Sequence, residues 1–227
     1  MKYKLTKTTK EWLGRTLFQI EAVSNFGDIK KGDLGGFIEK EENLSQDGNA
    51  WVYDDARVYG NAQIYGDACV YGSARVYGNA RVSDNARVYD NARVYGDAQV
   101  YGNAQVYGSA MVLGDAWVSN NAQVCGSAWV YSDAMVCGDA RVSGNACVCG
   151  DAQVYGELKL LLGYFFGVRR NKEEIKYVPI DENNELICKG EVEFGEEEKK
   201  SLLGKTIKIE IDGETYEAII KGKENYE

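Results

Sequence analysis

The chain has 227 residues, with 26 lysines and arginines against 35 aspartates and glutamates, so its formal net charge is −9. Such an acidic chain is poorly suited to bind duplex DNA or an anionic membrane surface, because both depend on clustered Lys and Arg. It contains no histidine, which removes the commonest general base and the commonest metal ligand. No apolar run approaches the ~18 residues that a membrane span needs.

The N-terminus and the cysteines indicate a compartment. Residues 1–6 show no apolar stretch typical of a secretion signal. Six cysteines in a chain of this length, without such a signal, are typical of reduced thiols. We therefore expect a cytoplasmic protein.

Residues 1–42 are predicted to form a small β cap. The segment 16–23 partly alternates apolar and polar residues, which is typical of a strand. Gly32, Gly35 and Gly36 are predicted to mark tight turns. The unit would cover the first coil of the segment that follows, because proteins normally cover unpaired strand edges.

Residues 43–156 form an internal repeat of six residues. Alanine recurs at every sixth position from Ala50 to Ala152, which makes 18 alanines. Valine follows two residues after each alanine, with Ile64 as the one substitute. Asn, Asp or Ser precedes each alanine, and glycine usually precedes that residue. The segment 43–48 is a degenerate first copy, as expected of a capping repeat.

The repeat predicts a parallel β-solenoid. Residues two apart on a strand point to the same side, so Ala and Val face inward together. The Gly-Asn/Asp pair supplies a residue that tolerates left-handed backbone angles, which a sharp corner requires. Three hexapeptides then close one triangular coil, and 18 repeats give about six coils, ~4.8 Å apart.

Residues 157–227 are predicted to form a small α+β domain. They are rich in Lys and Glu, neither of which occurs in the repeats. Strands are predicted over 175–180 and 185–194, and a short helix over 196–203. The segments 206–211 and 214–220 flank Asp212-Gly213, which is typical of a two-residue hairpin turn.

The repeat resembles the hexapeptide-repeat, left-handed parallel β-helix family. The opening segments 14–17, 26–36 and 43–45 are similar to uncharacterised hexapeptide-repeat proteins of the YdcK type from bacteria and their phages. The resemblance implies a left-handed solenoid and a bacterial or phage-infected host cytoplasm. It does not imply one activity, because the family includes acyltransferases, zinc carbonic anhydrases, ice-binding proteins and scaffolds.

The residues that those activities use in the family are missing from this sequence. Its acyltransferases typically use a histidine beside a loop extruded from a coil, and its carbonic anhydrases use three histidine ligands. This chain has no histidine and no insertion between Gly48 and Gly156. Its repeats contain no threonine for ice binding, and it has no Cys-x-x-Cys pair. We therefore expect no enzyme, no metal and no cofactor, with a divergent acyltransferase as an alternative.

Residues 18 apart should stack, so each outer face can be written out. The first face carries Trp51/Tyr53, Cys69/Tyr71, Arg87/Tyr89, Gln105/Tyr107, Gln123/Cys125 and Arg141/Ser143. The second carries Arg57/Tyr59, Arg75/Tyr77, Arg93/Tyr95, Met111/Leu113, Trp129/Tyr131 and Cys147/Cys149. The third carries Gln63/Tyr65, Arg81/Ser83, Gln99/Tyr101, Trp117/Ser119, Met135/Cys137 and Gln153/Tyr155.

The first half of the second face is an arginine–tyrosine ladder, made of Arg57, Tyr59, Arg75, Tyr77, Arg93 and Tyr95. One interpretation is mutual packing, in which guanidinium groups stack on tyrosine rings for ~0.5–1 kcal/mol each. The other is a binding site for an anionic nucleotide, in which Arg binds phosphate and Tyr stacks on the base. Packing is favoured.

The second half of that face is an apolar patch, made of Met111, Leu113, Trp129, Tyr131, Cys147 and Cys149. Soluble monomers seldom leave such a surface bare. We expect self-association to cover it, as a homotrimer like many proteins of this fold. The alternative is that residues 158–166 fold back over it.

These observations predict a non-catalytic scaffold or interaction protein that acts through the outer faces of a rigid solenoid. An alternative is a phage or prophage inhibitor that binds a host defence protein or sequesters a nucleotide signal. A filament-forming protein is disfavoured, because both ends of the array are predicted to be capped.

Overall fold

A computed structural model of the chain describes residues 1–168, 206–211 and 214–219. The chain divides into two compact units, Met1–Ile175 and Lys176–Glu227. The described residues are mainly β and contain no α-helix. Within them, no helix has the length and apolar character required to cross a bilayer.

The N-terminal cap is an antiparallel sheet joined to the solenoid. It consists of β1 (Tyr3–Trp12), β2 (Arg15–Ala22) and β3 (Leu34–Ile38), followed by a single 3-10 turn at Glu41–Asn43. Strand β2 pairs antiparallel with both β1 and β3, whereas β3 pairs in parallel with the first repeat strand of the second face. The predicted strand in this segment is confirmed as β2.

The repeats form short strands of two residues each. They are β4 (Trp51–Val52), β5 (Arg57–Val58), β6 (Gln63–Ile64), β7 (Cys69–Val70), β8 (Arg75–Val76), β9 (Arg81–Val82), β10 (Arg87–Val88), β11 (Arg93–Val94), β12 (Gln99–Val100), β13 (Gln105–Val106), β14 (Met111–Val112), β15 (Trp117–Val118), β16 (Gln123–Val124), β17 (Trp129–Val130), β18 (Met135–Val136) and β19 (Arg141–Val142). The last repeats merge into β20 (Cys147–Val154), which is followed by β21 (Lys159–Leu160) and β22 (Tyr164–Val168).

Each strand pairs in parallel with its equivalent 18 residues on, which confirms the predicted parallel β-solenoid. The first face is a sheet of seven strands, from β4 to β21. The solenoid therefore has about seven turns, one more than the repeats alone predict. The extra strand is β21, which pairs with β19 beyond Gly156.

The interior is the stack of alanines and valines that the period predicts. Every repeat alanine and valine is buried, and they form one continuous core. The corner residue before each Asn, Asp or Ser takes a left-handed backbone conformation, with φ between 51° and 75° in examples such as Asp54 and Gly96. Corner side chains also form ladders: the amide of Asn61 donates to Asn79, and the amide of Asn79 donates to Asp97, at 3.2 and 2.9 Å.

The cap satisfies the carbonyl groups that the first coil would otherwise expose. The N–H groups of Phe37 and Glu39 donate to the carbonyls of Ala56 and Val58, at 2.9 and 3.1 Å. On the third face, the side chain of the fully buried Asn43 donates to the carbonyls at positions 60 and 62. This arrangement supports the predicted capping role, because these acceptors would otherwise lie at an open sheet edge.

The prediction that Gly35 and Gly36 mark turns was wrong. Both lie inside β3 and are buried. A Cβ atom at Gly35 would lie 2.5 Å from the carbonyl oxygen of Val52 and 2.6 Å from Ile20. These glycines allow close approach of the cap to the first coil. Gly32, with a φ of 95°, does lie in a turn.

The described part of the second unit is one β-hairpin. Strands β23 (Thr206–Ile211) and β24 (Glu214–Ile219) pair antiparallel, with Ile211 opposite Glu214. A connection of two residues is what Asp212-Gly213 predicts. The strands predicted over 175–180 and 185–194 and the helix over 196–203 lie outside the described residues. The division into segments 1–42, 43–156 and 157–227 stays a prediction.

Candidate functional site

The arginine–tyrosine ladder is two separate columns on the second face. Strand pairing sets Arg57 beside Arg75, and Arg75 beside Arg93. The tyrosine rings stack on one another instead of on the guanidinium groups. Their centroids lie 4.9 Å apart for Tyr59 and Tyr77, and 4.7 Å apart for Tyr77 and Tyr95, with interplanar angles of 2° and 3°.

The hairpin of β1 and β2 folds over the end of this ladder that lies nearest the cap. Trp12, at the end of β1, lies over two guanidinium groups, with Arg57 and Arg75 at 4.0 and 4.6 Å from its ring centroid. Leu17 of β2 packs with Phe37 and Tyr59 in a small buried cluster. Tyr59 is therefore only 6% exposed. The cap thus covers an outer face as well as the end of the stack.

Two ion pairs fasten the hairpin in this position. Lys10 contacts Asp55 at 2.9 Å, and Arg15 contacts Glu39 at 2.7 Å. Glu39 also accepts the N–H of Gly60 at 2.6 Å. Burial works against this carboxylate, but the hydrogen bonds from Gly60 and Arg15 outweigh it and lower the pKa of Glu39.

The predicted stacking of Arg on Tyr is not what the structure shows within the ladder. The arginines Arg57 and Arg75 stack on Trp12, a residue 45 or more positions away in the sequence. The ring faces inside the tyrosine column are occupied by neighbouring rings. A nucleotide base could therefore not stack on Tyr77, because both faces of its ring are occupied. Ligand binding by the six ladder residues stays a prediction.

The predicted apolar patch lies on the second face, in the coils farther from the cap. Met111, Leu113 and Tyr131 are half-buried, and Trp129 is 47% exposed. Cys147 and Cys149 are buried instead, because β22 pairs with β20 alongside them. The segment predicted as an alternative cover thus continues the stack at these two cysteines, while the tryptophan stays open among the described residues.

The buried end of this patch is electrically neutral. Hydrogen bonds with the Cys149 and Cys147 thiols, together with burial, raise the pKa of Tyr131. Burial likewise raises the pKa of Cys147. Tyr131 and Cys147 therefore stay protonated at neutral pH. The five cysteines within the described residues are free thiols.

A second apolar column lies round the next corner, on the third face, and the sequence analysis missed it. Trp117 is 40% exposed and pairs in register with Met135. Both lie in the same two coils as the second-face residues of the patch. We call the set Met111, Leu113, Trp117, Trp129, Tyr131 and Met135 the apolar columns. Listing both faces side by side, coil by coil, would have revealed them.

The corner between these two columns carries a row of carboxylates. Asp97, Asp115, Asp133 and Asp151 occupy the same corner in successive coils, and all four are exposed. Asp97 accepts a hydrogen bond from Asn79. The apolar columns are therefore divided by an acidic edge, which any molecule bound across both faces would have to accommodate.

A tyrosine column on the first face was also missed as a unit. Tyr71, Tyr89 and Tyr107 stack with centroids 4.8 Å apart. The hydroxyls of Tyr89 and Tyr107 donate to Gln105 and Gln123. The signal was a run of tyrosines 18 residues apart, and its role is packing. No group of three or more potential metal-ligating side chains occurs in the described part of the chain.

Comparison with known proteins identifies the repeat. A family model described as the YdcK beta solenoid repeat matches residues 62–76, 74–87, 86–102, 98–114 and 104–120. A protein of Escherichia coli strain K12, named "Uncharacterized acetyltransferase YdcK", is 50% identical over 38 residues. That match covers 17% of this chain and 12% of the relative. The matched repeats lie within the solenoid described above, so this part of the repeat array is similar to the YdcK-like β-solenoid repeats.

Proposed function

We propose that the protein is a non-catalytic interaction scaffold whose apolar columns bind further copies of the same chain. The observation that carries the proposal is the exposure of Trp117 and Trp129 on a stack whose other coils present arginine, glutamine and tyrosine. Large exposed aromatic groups are typical of contact surfaces, and each of these tryptophans pairs in register with a methionine on its own face.

A second copy suits this surface because it repeats with the same spacing. Two identical solenoids have identical distances between coils, so side chains on one can fit between those on the other along the whole contact. An unrelated β-sheet would share the strand spacing, but it would not repeat the same side chains at the same coils. The resemblance to the hexapeptide-repeat family favours a homotrimer as the assembly.

The non-catalytic part of the proposal is supported by the described titratable groups. Burial raises the pKa of Cys69 and Cys137 and raises that of Tyr53 to about 12. These groups are protonated at neutral pH and make poor bases or nucleophiles. Burial lowers the pKa of Lys2 to about 8, but its amine donates to three backbone carbonyls at the cap and is buried.

The name of the Escherichia coli relative keeps acetyl transfer as the alternative activity. Its match covers 38 residues, which are 17% of this chain and 12% of the relative, so the name supports an alternative and not an assignment. Calorimetric titration with acetyl-CoA separates the two proposals. We expect no saturable heat; saturable binding would contradict the non-catalytic assignment.

Sedimentation velocity tests self-association directly. The substitution Trp129→Lys should shift the protein toward monomer, because losing a central aromatic contact typically costs about 2 kcal/mol or more, roughly a 30-fold weaker association. Tyr65→Lys is the matched control. Tyr65 is also 40% exposed on an outer face, but lies in the first coil, away from the apolar columns. Equal effects of both substitutions, or a wild-type monomer at micromolar concentration, would overturn the proposal.

Salt dependence provides a second readout of the same contact. Each copy has a net charge of −9 and an acidic edge beside the apolar columns. Screening reduces repulsion between these charges. Association through apolar columns should therefore strengthen as salt increases, whereas association through ion pairs would weaken.

A further inference from the structure

Three arginines are stacked on adjacent coils of the second face, and none of them forms an ion pair within the described residues. Arg57, Arg75 and Arg93 are in register, one strand spacing of ~4.8 Å apart. Like charges directly opposite on neighbouring strands destabilise a sheet. The ion pairs found among the described residues are Lys4–Glu21, Lys10–Asp55 and Arg15–Glu39, and none includes these arginines.

The acidic residues that closely precede these arginines in the sequence have other partners. Asp55 precedes Arg57 but pairs with Lys10. Asp54 accepts the N–H of Gly72 at 3.1 Å, and Asp90 accepts the N–H of Gly108 at 3.0 Å. The residues two positions before Arg75 and Arg93 are Ser73 and Asn91, which are uncharged. Positive charge is therefore locally in excess on a chain that is acidic overall.

Hydrogen-bond donors are also in excess at this place. The indole N–H of Trp12 and the Nε–H of Arg57 are buried and have no acceptor among the described residues. Buried donors normally have a partner, so two orphaned donors on one stacked pair are unusual. Burial, together with the charges of Arg93 and Arg57, lowers the pKa of Arg75, as expected where no anion compensates them. In the described part of the chain, donors and positive charge at this site therefore exceed the negatively charged oxygen acceptors.

The row of arginines is open at its Arg93 end. Trp12 covers Arg57 and Arg75, whereas Arg93 is exposed and Arg75 is half-buried. A ligand could therefore reach the row from the Arg93 end while Trp12 forms its wall. Trp12 is fixed there by the hairpin and its ion pairs, so the wall exists before any ligand binds.

We propose that Arg57, Arg75 and Arg93, with Trp12 as the wall, form a binding site for a phosphate-bearing anion. A carboxylate is satisfied by one guanidinium group, whereas a dianionic phosphate has enough oxygens and charge to bridge two of them at coil spacing. A diphosphate can extend along the row. The ring faces between neighbouring tyrosines are occupied, so the site recognises phosphate groups and a base does not insert between these rings.

Isothermal titration with inorganic pyrophosphate tests the site on the full chain. We expect saturable binding that weakens at least 10-fold in the double variant Arg75→Gln/Arg93→Gln. The matched control is Arg81→Gln/Arg141→Gln, which removes the same charge from exposed arginines on the other two faces and should bind like wild type. Thermal unfolding followed by circular dichroism verifies that both variants fold.

The outcomes are decisive in either direction. Absence of pyrophosphate binding by wild type, retention of binding by Arg75→Gln/Arg93→Gln, or equal loss in the control pair would each overturn the proposal. ADP, titrated in parallel, identifies the form in which phosphate is recognised. Affinity within a few-fold of pyrophosphate supports recognition of phosphate alone, and affinity more than 10-fold higher would overturn it.

Discussion

At the scale of single residues, the corner position decides how tightly coils stack. Gly96 has a φ of 75°, and a Cβ atom there would lie 2.8 Å from the backbone nitrogen of the next coil. Asp54, Asp84, Asp90, Asn120 and Ser132 occupy the same position in other repeats with smaller φ values, from 51° to 60°. Where this corner position carries a side chain, its φ is therefore smaller than at Gly96.

We predict that Gly96→Ala destabilises the protein more than Gly150→Ala. Both glycines have left-handed backbones at the same corner, which costs alanine about 1 kcal/mol or more. Only at Gly96 would the added Cβ also contact the backbone of the next coil, because a Cβ at Gly150 would have nothing within 4 Å. This contact should add about 1–3 kcal/mol. Chemical denaturation measures both, and equal costs would contradict close coil contact as the reason for glycine.

Residue patterns predicted the core well and single contacts poorly. The spacing of Ala and Val is a local property, and it predicted the inward and outward sides of every strand. Gly35 was misread as a turn residue because glycine has several uses. Its actual reason, the nearby carbonyl of Val52, lies 17 positions away and depends on how two elements meet.

At the scale of elements, the cap combines two tasks. It pairs with the sheet through β3, and it lays Trp12 and Leu17 on the outer face of the first coils. Capping was predictable, because a repeat array needs covered ends. The second contact was not, because β1 must bend back over the sheet. A register shift between Leu5 and Thr9 in β1 marks where pairing becomes irregular.

We predict that Trp12→Ala loosens the hairpin without unfolding the solenoid. The substitution removes the stacking on Arg57 and Arg75 and should cost about 2–4 kcal/mol. Hydrogen exchange should show faster exchange in β1 and β2, with little change in the later coils, because solenoid coils contact only their neighbours. Leu13→Ala, at the exposed neighbouring position, is the control and should leave exchange unaltered. Uniformly faster exchange in all coils would contradict this local role.

At the scale of the whole molecule, the two ends of the stack differ. The first coil is closed by antiparallel strands and by side chains such as Lys2, which donates to the carbonyl of Ala50 at 2.9 Å. The last repeats are followed by β21 and β22, which continue the parallel stack. The cap, by contrast, ends the first-face sheet at β4.

We predict that deleting residues 1–42 makes the protein polymerise or aggregate. The deletion uncovers the carbonyls of Ala50, Ala56 and Val58, which the cap now satisfies, and an open parallel edge is a template for further strands. Light scattering and electron microscopy should show concentration-dependent assemblies. Full-length Trp129→Lys, with its capped end intact, is the control and should stay dispersed. A monodisperse truncated chain would show that the cap is dispensable for closing the stack.

The fold of the array was predictable as a whole, whereas its working surfaces were predictable only in part. Eighteen copies of one pattern leave a single consistent packing, so the stack and the face lists followed directly from the sequence. The surfaces depend on what covers them. Trp12 over Arg57, and β22 beside Cys147, are contacts made by segments outside the period, and no periodic argument can place them.

The nearly identical interiors of the repeat coils have a consequence for how the length of the solenoid can change. Because each coil presents the same alanines and valines inward and begins and ends at equivalent corners, a recombination event out of step by one coil joins compatible segments. The product would gain or lose a full turn with no new core to optimise. Residues on the outer faces would move along the solenoid axis by whole coils, and each would stay on its own face. The length of the solenoid can therefore change by copying whole coils. A new kind of side chain on an outer face requires a substitution.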